Sequence, residues 1–154
     1  MSLRNGYFSG NTKAVQERIK KRLLNERKMM AAVVQATELV RTTAVDSIAR
    51  GVKSGRTYVK YNPRRTHTAS AEGQAPATDT GNLIKGISTE IQKRGKVIEG
   101  LIKANAKADN GGNYAKFLEF GTVNMRPRPF LFPALEKNKR RILSIFAKKG
   151  LGRA

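Results

Sequence analysis

The sequence predicts an α+β fold in which a long N-terminal helix and a C-terminal helix pack on a small antiparallel β-sheet, with a long basic loop between them. Three observations predict it. Apolar residues recur with helical spacing over residues 12–50, two alternating runs flank a glycine within residues 87–104, and a second helical pattern spans about 133–149. With 154 residues, of which 39% are hydrophobic, the chain suits one domain over residues 1–154 with a modest core.

The N-terminal segment divides into a polar start and one long helix. Residues 1–11 are polar, and we expect them to be loosely ordered unless a neighbouring subunit holds them. Thr12 is a suitable N-cap, and no proline or glycine interrupts the chain from there to Gly51. The run predicts a single helix of about 58 Å, although a break near residues 25–28 is an open alternative. Its first half is more highly charged, so we expect the second half to face the core and the first to reach outward, toward a neighbouring subunit. The predicted apolar face comprises Val15, Ile19, Leu23, Met30, Val33 or Val34, Thr37, Val40, Ala44 and Ile48.

Residues 51–79 form a segment rich in Gly, Ser, Thr, Pro and basic residues around one strand-like run at residues 57–61. The segment predicts a long loop or an extended hairpin, in which residues 57–61 could join the main sheet. Two interpretations stay open: a solvated insertion, or a docking segment that becomes ordered only on assembly. His67, the single histidine, is expected to be a solvated loop residue. The candidate partner-binding residues here are Arg56, Tyr58, Lys60, Arg64 and Arg65.

A short helix and a pair of strands are predicted next. Asp79 or Thr80 can cap a helix that contains Leu83. Alternation begins at Ile87, Gly95 supplies the turn, and residues 97–104 form a second strand that pairs antiparallel with the first, although Gly100 interrupts its alternation. Residues 106–113 then predict a loop with a tight reversal.

The stretch YAKFLEFGTVNMRPRPFLFPALE, residues 114–136, has an aromatic segment followed by a proline-rich one. The first predicts a short helix closed by Gly121 as its αL residue. The three prolines predict an extended arm over residues 126–132 and a helix that resumes near Pro133. Glu119 is expected to pair with an arginine or to accept hydrogen bonds from N–H groups of the following loop.

The four phenylalanines of this stretch, at positions 117, 120, 130 and 132, have two interpretations. The simpler is that all of them are core residues. Burial alone does not explain a proline-stiffened arm that carries two arginines. The functional interpretation is that Phe130 anchors the arm while Arg126 and Arg128 face a carboxylate or phosphate partner.

Two blocks of the sequence resemble a known family. The downstream block is YAKFLEFGT followed by RPFLFPALE, with Pro127 and Arg128 at the lead-in; the upstream block is similar to A-S-x-x-G-x-x-P and T-G-x-L-x-x-x-I-S. Together they resemble the head–tail joining proteins of long-tailed DNA phages, also called neck, tail-completion or tail-terminator proteins. The upstream block has Ala69, Ser70, Gly73, Pro76, TGNL at residues 80–83, Ile87 and Ser88. The signature residues are Thr80, Gly81, Leu83, Tyr114, Phe117, Leu118, Glu119, Phe120, Gly121, Thr122, Pro129 and Pro133.

The resemblance implies a structural virion protein rather than an enzyme. It implies a homo-oligomeric ring, expected to be a hexamer, that completes or terminates the tail and joins it to the connector, with the connector or head-closure protein and the tail-tube protein as partners. The expected location is the head–tail junction of the virion, and the host cytoplasm during assembly. No cofactor is implied.

Composition leaves one alternative and excludes several classes. A net charge of +20, from 31 Lys and Arg against 11 Asp and Glu, attracts polyanions, so a nonspecific DNA-binding or DNA-packaging accessory protein is the alternative. With no cysteine and one histidine, no zinc or Cys-His motif exists, and no phosphate-binding glycine loop is present. No apolar run is long enough to cross a membrane.

Overall fold

The computed structural model describes residues 12–61, 64–107 and 112–151. The predicted α+β fold class is confirmed. The expected loose N-terminus, residues 1–11, lies outside the described residues, as does most of the reversal predicted within 106–113. The elements are α1 (Thr12–Ala49), β1 (Thr57–Tyr61), β2 (Arg64–Thr68), α2 (Asn82–Lys85), β3 (Ile87–Arg94), β4 (Val97–Ala104), α3 (Tyr114–Phe120) and α4 (Leu131–Lys148).

Helix α1 is one continuous helix without a break at residues 25–28. Its buried residues all lie in the second half, between Ala32 and Ile48, as predicted. In the first half, Val15, Ile19 and Leu23 are more than half exposed. The apolar face therefore continues beyond the core of this chain.

Helix α1 is also the central layer of the fold. Strands β3 and β4 pack against it, and α4 packs against it as well rather than sharing the sheet face with it. The main core lies where these layers meet the short helices, and Ile48 and Phe130 are its largest fully buried apolar side chains. Burying such side chains is the main source of stability in a core of this size.

The β3–β4 hairpin is confirmed, with a register that runs from Ile87 opposite Ala104 to Arg94 opposite Val97. The turn requires positive φ, which Gly95 supplies at 61°. Gly100 faces α1 so closely that an added Cβ would overlap the Thr37 hydroxyl and lie 3.0 Å from Val33 Cγ1. The glycine that interrupts the alternation of β4 is therefore the point of close helix–sheet approach.

Strands β1 and β2 form an extended hairpin with Thr57 opposite Thr68 and Tyr61 opposite Arg64. The expectation that residues 57–61 join the main sheet is wrong, because β1 pairs with β2 in a separate two-stranded sheet. His67 lies within β2, and its side chain is only 15% exposed, so its interpretation as a solvated loop residue is also wrong.

The cap predicted for α2 is only partly correct. Gly81 occupies the N-cap position with φ of 77°, and the Thr80 hydroxyl accepts a long hydrogen bond of 3.4 Å from the Asn82 N–H. Asp79 does not cap the helix. Its carboxylate is held instead by basic side chains of the β1–β2 hairpin.

The corner between α3 and α4 is built on Glu119. Its carboxylate accepts hydrogen bonds from the backbone N–H groups of Phe130 (2.8 Å), Leu131 (3.0 Å) and Phe132 (2.9 Å). The hydrogen-bond alternative for Glu119 is thereby confirmed. These N–H groups belong to the first turn of α4, where an acceptor and a negative charge are both stabilising.

This cap moves the start of α4. The extended arm was expected to reach residue 132, but the helix begins at Leu131, because the Glu119 carboxylate satisfies the N–H groups there. Pro133 then occupies the first turn, where its missing N–H costs little. Gly121 ends α3 with φ of 78° and ψ of −178°, so it needs positive φ but is not the αL residue that we expected.

The four phenylalanines divide between core and surface. Phe130 is 1% exposed, whereas Phe117, Phe120 and Phe132 are 47%, 75% and 64% exposed. The simple interpretation that all four are core residues is therefore wrong for three of them. Phe130 does anchor the arm, as the functional interpretation expected.

We predict that Glu119→Gln lowers the free energy of unfolding by about 2–4 kcal/mol, because three charge-assisted hydrogen bonds to one helix end are weakened together. Urea denaturation measures the loss. Glu136→Gln is the matched control: that residue lies on α4 and makes only an exposed contact of 3.8 Å with Lys139, so its change should stay within about 0.5 kcal/mol. Equal losses in the two variants would contradict the capping role.

We also predict that Gly100→Ala destabilises the protein by about 1–3 kcal/mol through overpacking against α1. In a Thr37→Ala background, which removes the overlapping hydroxyl, the same change should cost less. A double-mutant cycle in urea measures this coupling. If Gly100→Ala costs as much in both backgrounds, the added methyl does not meet Thr37.

Candidate functional site

A groove of about 730 Å³ lies between the β1–β2 hairpin and the helical body. Apolar side chains of Leu83, Tyr114 and Leu118 form part of its lining. We call it the basic groove, because its described lining residues include Lys60, Arg65, His67, Lys107 and Arg128 but only one carboxylate, Asp79.

Asp79 connects the hairpin to the body. Its carboxylate forms ion pairs with the Lys60 ammonium and the Arg65 guanidinium. Arg65 Nη1 lies 2.9 Å from Oδ1, and Arg65 Nη2 lies 3.2 Å from Oδ2. His67 Nδ1 lies 3.6 Å from the same carboxylate. The hydrogen bond from Lys60 is the main cause that lowers the pKa of Asp79 below its usual value of 3.8, so Asp79 is ionised at neutral pH.

His67 lies beside these charges but is neutral at pH 7. Burial is the main cause that lowers its pKa below the usual 6.5; Asp79 opposes this effect, while Lys60 adds to it. At neutral pH the described residues that line the groove therefore include four cations, Lys60, Arg65, Lys107 and Arg128, against the single carboxylate of Asp79.

Arg128 enters the groove from the proline-rich arm. Its backbone N–H donates to the carbonyl of Leu118 at 2.6 Å, which fixes the arm on α3. Among the residues that the structure describes, no carboxylate pairs with its guanidinium, and its Nε is buried without a hydrogen-bond partner. Arg65 Nε and Ser70 Oγ are buried and unpartnered in the same way.

The structure brings together only part of the predicted interface set. Lys60, Arg65 and Arg128 meet at the groove. Phe130 is buried in the core, so it cannot contact a partner itself. Arg126 is exposed and pairs with Glu72 at 3.4 Å. The guanidinium of Arg56 lies 5.6 Å from the centroid of the Tyr58 ring, and neither residue lines the groove, nor does Arg64.

Several groove residues were missed by sequence reasoning. His67, Asp79 and Lys107 were not among the predicted interface residues, and Ser70 was noted only as part of the resemblance. One signal was available: Asp79 is the only acidic residue between Glu72 and Glu90. An isolated carboxylate in a basic segment indicates an ion pair that holds the segment in place.

Within residues 12–61, 64–107 and 112–151, no three His, Asp or Glu side chains are grouped to hold a metal ion. No helix in this part of the chain has the length and apolar character to span a membrane.

We predict that Asp79→Asn releases the β1–β2 hairpin while changing the free energy of unfolding by about 1 kcal/mol or less, since the ion pairs are partly exposed. The folded-state pKa of Asp79 is lowered, so its contribution is present above pH 3.8 and is lost as the pH falls through the lower folded-state value. Amide NMR signals of β1 and β2 should therefore shift in wild type below pH 3.8.

The same signals in Asp79→Asn should already resemble the acid form at neutral pH and lack this transition. Glu72→Gln, which removes the exposed pair with Arg126, is the control and should keep it. If the transition persists in Asp79→Asn, another carboxylate docks the hairpin.

Comparison with protein-family models, curated protein sequences and solved structures found no match.

Proposed function

We propose that this protein is a structural virion component that forms a ring at the head–tail junction of a long-tailed phage, where it completes or terminates the tail and joins it to the connector. One observation carries the proposal. The two sequence blocks that resemble head–tail joining proteins line the same groove, with Ser70 and Leu83 from the upstream block and Tyr114, Leu118 and Arg128 from the downstream block. Residues far apart in sequence thus contribute to one surface feature.

Exposed aromatic side chains support a protein partner. Phe120 and Phe132 flank the Glu119 corner, and Phe117 lies on the same short helix as Phe120. Large exposed apolar side chains that lie close together along the chain are typical of protein–protein interfaces. Surfaces that bind nucleic acid consist chiefly of Lys and Arg side chains.

A second apolar surface lies on the first half of α1. Val15, Ile19 and Leu23 recur every four residues and so share one face of the helix. A ring of identical subunits requires two different, complementary surfaces on each copy. The chain has two different apolar surfaces, the α1 face and the exposed phenylalanines of the Glu119 corner.

One observation favours the alternative, a nonspecific DNA-binding or packaging accessory protein. A second, shallower depression of about 410 Å³ lies between the first half of α1 and the β3–β4 turn. Among its lining residues are Arg18, Lys21, Arg22, Lys93 and Lys96. Cations on an accessible surface suit DNA phosphates, and such binding weakens steeply as salt rises.

We predict that deleting the gene from the phage or prophage yields DNA-filled heads separate from tails in electron micrographs. Detached tails of normal length indicate a neck or completion role, and tails of abnormal length indicate a terminator role. Wild-type protein supplied in trans should restore virions, whereas Phe120→Asp should not, because it places a charge on the apolar surface.

The control for this complementation is Val52→Asp, which adds the same charge at another exposed apolar residue, outside the Glu119 corner. It should restore virions. Infectious virions from the deletion strain would overturn the proposal. Binding to DNA at physiological salt, without affinity for connector or tail-tube protein, would favour the alternative.

A further inference from the structure

We infer that the basic groove binds the carboxylate side chains of an extended acidic peptide segment. Assigning that segment to a neighbouring virion subunit rests on the proposed function; the chemistry of the groove does not. Residues from the hairpin, the segment before α2 and the proline-rich arm all supply binding groups.

Part of the positive charge in the groove remains uncompensated among the described residues. Asp79 engages Lys60 and Arg65 from the hairpin side. On the other side, Arg128 has no carboxylate partner among the described residues. A partly buried guanidinium without an anion is unfavourable, and a carboxylate that binds it in the two-pronged arrangement compensates this cost.

Among the described residues, the groove lining also includes hydrogen-bond donors that have no acceptor. Ser70 is fully buried, and its hydroxyl is unpartnered, as are Arg65 Nε and Arg128 Nε. All three residues line the groove. Buried polar groups in folded proteins are nearly always hydrogen-bonded, and an arginine Nε can only donate. A ligand that satisfies these groups must be rich in acceptors, as a carboxylate is.

The shape of the groove favours a peptide over a DNA duplex. The groove is a recess, so a ligand must insert to contact the residues that line it. A DNA duplex presents its phosphates on a broad convex surface and cannot enter a recess of about 730 Å³. An extended peptide can insert single side chains, and the lining residues Leu83, Tyr114 and Leu118 can contact their methylene groups.

Titration of the full-length protein with fluorescently labelled hexaglutamate at about 0.15 M ionic strength tests the inference. Hexaglutamine, inorganic phosphate and a short DNA duplex serve as competitors. We expect hexaglutamate to bind saturably. Hexaglutamine should not compete with it, and inorganic phosphate and the DNA duplex should compete only weakly. Arg128→Gln should weaken the affinity about tenfold or more, and Arg128→Lys, which keeps the charge without the planar guanidinium, should fall between.

The matched control is Arg126→Gln, an arginine on the same arm that is exposed and does not line the groove. Its affinity for hexaglutamate should stay within about twofold of wild type. Thermal unfolding and the amide signals of α3 show whether Arg128→Gln retains the wild-type fold. If it does not, the affinities of Arg128→Lys and Arg126→Lys for hexaglutamate are compared instead, and only Arg128→Lys should bind more weakly than wild type.

If the Arg126 and Arg128 variants lose the same affinity for hexaglutamate, the effect comes from net charge alone and the inference is overturned. Displacement of hexaglutamate by duplex DNA as effectively as by unlabelled hexaglutamate would overturn it in favour of a phosphate site. The proposed virion role is tested separately. If peptide binding depends on Arg128 but the deletion strain still yields infectious virions, the groove binds acidic peptides and the proposed role at the junction is wrong.

Discussion

The carboxylate of Glu119 is the interaction on which the rest of the structure depends. By holding three N–H groups at the start of α4, it fixes where α3 ends and where α4 begins. Phe130 is the first residue of this capped turn and is buried against the α1 core. Arg128 lies two residues earlier, with its backbone bonded to Leu118. One side chain therefore sets both the packing of α4 and the position of the groove arginine.

Close approach of the backbones, in addition to the large buried side chains, holds the layers together. Ala32, Ala36 and Ala44 are buried on α1, and Gly100 lets β4 come near the same helix. Small residues bury little apolar area each, so the core depends on tight packing at many contacts. Most of the large apolar side chains at the Glu119 corner and on the first half of α1 remain outside the core. A chain with so modest a core and so much exposed apolar surface is suited to gaining stability from partners.

The fold was predictable where the signal is local and periodic. The period of α1 and the alternation around Gly95 depend only on neighbouring residues, so the helix and the β3–β4 hairpin follow from the sequence. The start of α4 was misplaced because its cap comes from Glu119, in another helix. The exposure of Phe120 and Phe132 and the path of β1 depend on tertiary packing, which periodicity does not encode. At the groove, Lys60, Arg65 and Arg128 could be named individually, but their meeting in one groove, where Asp79 pairs with Lys60 and Arg65, could not.

The net charge of +20 constrains any assembly of this chain. Identical subunits that each carry such an excess repel one another, so apolar contacts in the proposed ring must act against electrostatic repulsion. Among the described residues, intramolecular neutralisation in the groove is incomplete, since one carboxylate, Asp79, lines it together with four cations. An acidic segment bound there would lower the charge of each subunit at the place where the hairpin joins the body. In the proposed ring the groove and the apolar surfaces would act together: the apolar surfaces would supply contact between copies, and the proposed anionic partner would reduce the repulsion that opposes this contact.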